Sequence, residues 1–393
     1  MASTEQSGDA ALIRGAEDAL RRGDRPAAFE LLRQAEARAP KNASVHLTKA
    51  LAYRAAGDVG AAFRSLDTAL VLDPYNFLAL LSKAWLLEQQ GQARKAAMMY
   101  RDALAVAPPQ DHLPPGMAAP VAHAREAVAT NSRALKAHLL DRLKDIRARY
   151  AAESLERFDE SVDILAGETH AYVQQPIMLH YPRLPAIPFY DRAYFPWLAE
   201  LEAATPVMQE ELAALLEQTG TEKFAPYIAY PPGAPINQWG ELNHSRRWSS
   251  FFFWRDGVRQ DEACERCPRT AAALEALPMA RQTGFAPTAM FSALEARTTI
   301  PPHTGSINTR VIVHLPLILP GDCRFRVGNV TRPWRMNEAW VFDDTIEHEA
   351  WNDTDELRII LIFDVWNPLL SAAERELLTA MLLARNEFQN MDC

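Results

Sequence analysis

The chain has 393 residues, a net charge of -9 and 23% charged residues, the composition of an acidic globular protein with room for two or three domains. That charge argues against a broad nucleic-acid surface, and no apolar run approaches the roughly 18 residues of a membrane span. Four cysteines (Cys264, Cys267, Cys323, Cys393) are too few for a disulfide framework, and the polar, acidic start M-A-S-T-E-Q-S-G-D does not read as a secretory signal, so a reducing cytoplasm is the expected location.

Residues 9-110 repeat with a period of 34. Gly23, Gly57 and Gly91 fall in one register; Ala28, Ala62 and Ala96 fall in a second; Ala35, Ala69 and Ala103 in a third; Pro40, Pro74 and Pro108 in a fourth; Leu32, Leu66 and Tyr100 in a fifth. The glycine is read as a helix end, the alanines as close helix contacts and the proline as the end of the second helix. The pattern resembles the tetratricopeptide repeat, an α-solenoid of helix pairs that stack only on their neighbours. Such a module either docks a peptide or partner on its concave face or serves as a structural appendage.

Residues 111-187 read as a helical and proline-rich linker. Pro108 to Pro120 carries five prolines and ends the solenoid. Val121 to Ile164 then reads as one long and one shorter helix, with Leu135, Leu139, Leu143 and Ile146 at helical spacing. His123 and His138 are expected to face solvent. Residues 173-192 suggest an extended entry into the next domain, and Phe195 to Thr219 a helical pair broken at Thr205-Pro206.

Residues 188-393 form the second domain. From about Lys223, short β-type runs alternate with Gly, Pro and Asn, among them Trp248 to Trp254, Thr309 to Leu319 and Ile359 to Val365. This spacing predicts an antiparallel sandwich or barrel, closed by a C-terminal helix over about Ser371 to Glu387. Strand alternation puts Arg310, Ile312 and His314 on one face, and Arg358, Ile360, Ile362 and Asp364 on another. A barrel interior bearing arginine and histidine calls for an anion inside, because an unpaired buried charge is costly. Two histidines, His303 and His348, flank strand-like runs, and Arg358 follows the second by ten residues. Neutral imidazoles suit Fe(II), and a guanidinium grips a carboxylate in two-pronged fashion.

Ser292, the run P-P-H-T-G (301-305), Arg310, His314, the run F-D-D-T-I-E-H-E (342-349), Arg358 and F-D-V-W (363-366) together resemble the aspartyl/asparaginyl β-hydroxylase family. The resemblance runs from roughly residue 188 to 368. It implies a double-stranded β-helix (jelly-roll or cupin-like) domain after the repeats, and a dioxygenase using Fe(II), 2-oxoglutarate and O₂ to hydroxylate the β-carbon of Asp or Asn in a peptide or protein. By the same resemblance His303 and His348 ligate iron. Arg358 and Ser292 hold the 2-oxoglutarate carboxylate, His314 lies beside the cosubstrate, and Arg310 faces the substrate.

Where many such oxygenases carry a ligating carboxylate two residues after the first histidine, this chain has Gly305, a gap that the family shares and that would admit a halide. Where animal members carry a second arginine, this chain has Ile312. Asp343 and Asp344 are read as turn residues or as orienters of a ligating histidine. The paired Cys264 and Cys267 are read as free thiols, and Trp248, Trp254, Trp334 and Trp351 as mostly core, with one able to wall a pocket. Other readings are the same oxygenase acting on a small molecule or a carrier-bound amino acid, a halogenase, and a non-catalytic repeat scaffold.

Overall fold

The computed structural model describes residues 2-282, 284-389 and 391. Cys393 therefore lies outside the described residues. The chain divides into two compact units, Met1–His170 and Ala171–Cys393. Among the described residues no helix is long and apolar enough to cross a membrane.

The first unit is helical: α1 (Ala2–Arg21), α2 (Arg25–Arg38), α3 (Ala43–Ala56), α4 (Val59–Leu72), α5 (Phe77–Gln89), α6 (Ala93–Ala105), α7 (Ala118–Arg149) and α8 (Glu156–Ala166). The first six pair as α1/α2, α3/α4 and α5/α6, one pair per repeat. Asp24, Asn42, Asp58 and Asn76 cap α2 to α5 by accepting from backbone N–H groups of the first turn. Gly57 closes α3 at φ +81°, a left-handed conformation that suits glycine. The repeated alanines Ala28, Ala62, Ala96, Ala35, Ala69 and Ala103, with Leu32, Leu66 and Tyr100, are all buried. The 34-residue registers are thus the contact rows between helices.

The linker expected over 111-187 is divided between the two units. Helices α7 and α8 belong to the first, because Ala124 of α7 packs with Tyr100 and Ala103 of α6 and continues the stack. The stripe Leu135 to Ile146 forms no core; Ile146 is 47% exposed. Residues 171-187 belong to the second unit. They are fastened there by bonds from Gln175 N–H to the Thr345 carbonyl (2.7 Å), Ile177 N–H to the Gly305 carbonyl (3.0 Å) and Tyr181 N–H to the Asn308 side chain (2.7 Å).

The second unit opens with α9 (Leu198–Ala203) and α10 (Thr205–Thr219). Next come β1 (Ala225–Pro226), β2 (Trp248–Arg255), β3 (Val258–Arg259), α11 (Asp261–Arg266), α12 (Pro268–Ala276), β4 (Ala289–Leu294) and β5 (Thr298–His303). They are followed by β6 (Arg310–Ile318), β7 (Cys323–Val327), β8 (Val330–Pro333), β9 (Trp340–Phe342), β10 (His348–Asn352), β11 (Arg358–Trp366) and α13 (Ala372–Gln389). The larger sheet runs β1-β2-β4-β11-β6-β9, with β3 beside β2; the smaller runs β5-β10-β7-β8. Every pairing between these strands is antiparallel, which gives the two-sheet antiparallel layout expected from the strand spacing and the jelly-roll implied by the resemblance.

Side-chain alternation sorts the two cores. On β11, Ile359, Leu361, Phe363 and Val365 pack outward with Leu201, Met208, Leu212, Cys264 and Leu274 of the covering helices. Ile360 and Ile362 face the other way, into an interior shared with Ile300, Phe325, Trp334 and Phe342. The larger sheet is therefore apolar on both faces, and its inner face holds the polar residues that need explaining.

Candidate functional site

His303 ends β5 and His348 begins β10, and the two are direct partners across the ladder. Their ring centroids lie 4.0 Å apart. Each ring is steered by a carbonyl two residues upstream: His303 Nδ1 lies 2.8 Å from the Pro301 oxygen, and His348 Nδ1 lies 3.0 Å from the Ile346 oxygen. With both Nδ1–H groups donating, both Nε2 lone pairs are free, the tautomer that metal-binding histidines need. The acceptors are main-chain carbonyls, not the Asp343 or Asp344 carboxylates that the sequence reading allowed. Burial pushes the His303 imidazole down to about 4, and burial plus His303 holds His348 well below its ordinary value, so both rings are neutral.

Arg358 begins β11 on the facing sheet and is 1% exposed. Its guanidinium stacks over the Trp334 ring at 4.8 Å. No carboxylate among the described residues pairs with it, and its Nε has no hydrogen-bond partner. Burial lowers it to about 10. Close by, His314 Nδ1 and Trp334 Nε1 also lack partners. Ser292 accepts a bond from Trp248 Nε1 at 3.1 Å, which leaves its hydroxyl proton available to another acceptor. Arginine, serine and the indole all offer protons and find no acceptor. A buried cluster of this kind fits a small carboxylate.

His303, His348, Arg358, Ser292 and His314 line one cavity of about 250 Å³. Arg310 is not part of that lining. Its guanidinium forms an ion pair with Asp364 and donates to the Phe285 carbonyl at 3.1 Å. The structure thus places Arg310 in an ion pair, not on the cavity wall where the resemblance would have it face the substrate.

Asp343 and Asp344 play different parts. Asp343 is buried and serves a turn, accepting from Thr345 N–H at 3.0 Å and from Gln174 at 2.5 Å. Asp344 lines the cavity. A β-carbon built on Gly305 would run into its carboxyl group, so the space beside Gly305 is taken by Asp344. Burial, reinforced by Asp343, pushes Asp344 up to about 8, against the pull of Arg310. Among the described residues, no set of three or more His, Cys, Asp or Glu side chains is arranged to hold a metal.

Of the tryptophans singled out, Trp248 and Trp334 wall the cavity, and Trp254 is buried in the outer core. Trp239 was missed. It sits in a 3₁₀ turn and packs edge-on to His303 at 5.0 Å. Tyr227, stacked on Trp248 at 4.2 Å, was missed as well. Both lie in irregular segments, where no strand period marks an inward residue.

Residues 202-368 match the family described as Aspartyl/Asparaginyl beta-hydroxylase. The chain is 35% identical over 203 residues to the ornithine lipid ester-linked acyl 2-hydroxylase of Rhizobium tropici, a match covering 51% of this chain and 67% of that one. It is 38% identical over 142 residues to the human aspartyl/asparaginyl beta-hydroxylase, covering 36% of this chain and 18% of the human one. Among solved structures, the Arabidopsis OM64 TPR domain is similar to 32% of this chain over 98% of its own length, at 17% identity and a TM-score of 0.28.

Proposed function

The chain belongs to the aspartyl/asparaginyl beta-hydroxylase family, and on that premise we propose that it is an Fe(II)- and 2-oxoglutarate-dependent oxygenase that hydroxylates an unactivated carbon. One observation carries the reading: two neutral imidazoles with free Nε2 atoms share a cavity with a buried arginine that has no counter-ion among the described residues. When bound, iron supplies the activation of O₂ by which a C–H bond, O₂ and 2-oxoglutarate become C–OH, succinate and CO₂.

The chain's own work is binding, orientation and exclusion of water. His303 and His348 hold the metal through Nε2, with no protein carboxylate from position 305 to assist. Arg358 grips the far carboxylate of 2-oxoglutarate, and the Ser292 hydroxyl, set by Trp248, donates a further bond. His314, neutral through burial and the nearness of Arg358, flanks the cosubstrate. Trp239, Trp248, Phe325, Trp334 and Phe342 wall the cavity against water.

The relatives suggest two substrate classes, the β-carbon of Asp or Asn in a peptide or protein and an acyl chain; a small molecule or carrier-bound amino acid is a further form of the second. The repeats serve in this reading to present a protein partner. Three buried free thiols, Cys264, Cys267 and Cys323, favour a cytoplasmic location.

The test loads the metal-free chain with Fe(II) under nitrogen, adds 2-oxoglutarate and O₂, and measures succinate. Release that disappears in His303→Ala and in His348→Ala supports the oxygenase. No succinate under any condition returns the chain to the scaffold reading.

A further inference from the structure

Resting on the oxygenase reading above, we infer that the carbon oxidised by this chain belongs to an uncharged aliphatic unit, and that Ile312 together with the Arg310–Asp364 pair enforces the choice. The inner face of β6 presents Arg310, Ile312 and His314 in succession. His314 and Ile312 line the cavity, and Arg310 does not. Asp364, whose register partner across the ladder is Ile312, holds the Arg310 guanidinium; the pair is mostly buried, with side-chain exposures of 13% and 4%. The Phe285 carbonyl takes another of the Arg310 protons. Arg310 is therefore charge-paired with Asp364, while its Nε keeps no hydrogen-bond partner.

The remaining charges point the same way. Among the described residues Arg358 is the single Lys or Arg on the lining, and it is assigned to the cosubstrate. Asp344 adds a carboxyl group to the wall. A substrate carboxylate would thus enter a buried lining with no other side-chain cation among the described residues, a costly place for a charge. An aliphatic chain instead meets Ile312, Ile362 and Met290, a complementary apolar wall. An arginine at position 312, which lines the cavity, would supply the missing counter-charge.

The test uses the full chain with Fe(II), 2-oxoglutarate and O₂. One probe set is capped peptides with a central Asp. The uncharged set is the same peptides with central norvaline, together with an octanoyl amide. Succinate release and gain of one oxygen by mass are both read. The expected result is that at least one uncharged probe raises succinate above the probe-free background and gains oxygen, at least tenfold faster than any Asp probe. Ile312→Arg should shift that ratio toward Asp by tenfold or more, with its own probe-free succinate release showing that the variant is folded and loaded.

Two outcomes overturn the inference: an Asp probe oxidised as fast as the uncharged ones, or no uncharged probe raising succinate. In both, probe-free succinate that depends on His303 leaves the oxygenase reading standing. No succinate in any arm removes that reading and this inference with it.

Discussion

Arg358 is a cation kept in the protein interior with no carboxylate partner among the described residues, and its free energy belongs to the ligand rather than to the fold. An uncompensated buried charge costs several kcal/mol, and apolar replacements of buried ionic groups are often neutral or stabilising by ~1–4 kcal/mol. Arg358→Met should therefore leave the metal-free protein as stable as wild type or raise its Tm. The same change should increase the 2-oxoglutarate concentration needed for half-maximal succinate release by about ten- to a hundredfold, the worth of one or two charge-assisted bonds at ~1.5–3 kcal/mol, while Fe(II) binding persists. Thermal melting and 2-oxoglutarate titration check both halves; a large drop in Tm would mean that the residue is structural. The paired histidines carry a second prediction at this scale. Burial lowers His303 to about 4 from an unfolded value near 6.5, so the unfolded chain binds the proton first. The stability that comes from keeping this ring neutral is present above pH ~6.5 and is lost as pH falls toward 4. Chemical denaturation of the metal-free protein across that window should show the loss, and His303→Phe should flatten the curve. How far such residues can be read from sequence depends on whether their partners are near in the chain. His303, His348 and Arg358 carry their own spacing signal. Arg310 does not, because the Asp364 that claims it lies 54 positions away, and Trp239 does not, because a 3₁₀ turn has no inward period.

At the scale of elements, the repeat was the most legible part of the chain, since its registers are themselves the helix contacts. That makes its glycines and alanines testable. Gly57 sits at φ +81° with nothing within 4 Å of a built β-carbon, so Gly57→Ala costs only the backbone term of a left-handed L-residue, about 1 kcal/mol. Ala62 is fully buried between paired helices, so Ala62→Leu must overpack the contact, at a cost of ~1–3 kcal/mol. Urea denaturation of the two variants should rank Ala62→Leu as the more damaging; equal effects would show that the α3/α4 pair relaxes freely. Elements without a period were harder to foresee. Helices α11 and α12 are six and nine residues long, too short for a clear stripe, and they surfaced only because Ala263, Cys264, Ala271 and Leu274 pack on the outer face of the larger sheet. The stripe from Leu135 to Ile146 failed in the opposite sense: periodicity predicts a face, and something must cover that face before it becomes a core.

At the scale of the molecule, the division into two units separates two physical tasks. Every residue that lines the cavity lies between Tyr227 and Ile362, inside Ala171–Cys393. That unit holds both apolar cores of the β-domain and also the extended segment 171-187, whose backbone bonds to Thr345, Gly305 and Asn308 tie it beside the histidine-bearing strands. A fragment cut at 188, where the family resemblance begins, removes those bonds and leaves the Gly305 and Thr345 carbonyls without their partners. A fragment cut at 171 keeps them. The 171-393 fragment should therefore fold cooperatively and retain probe-free succinate release within about threefold of the full chain, whereas the 188-393 fragment should melt at a lower temperature and bind Fe(II) more weakly. Side-by-side melting curves and succinate assays decide the matter. Equal behaviour of the two fragments would show that 171-187 is a passive tether, and loss of turnover in the longer fragment would show that residues 1-170 act on the site itself.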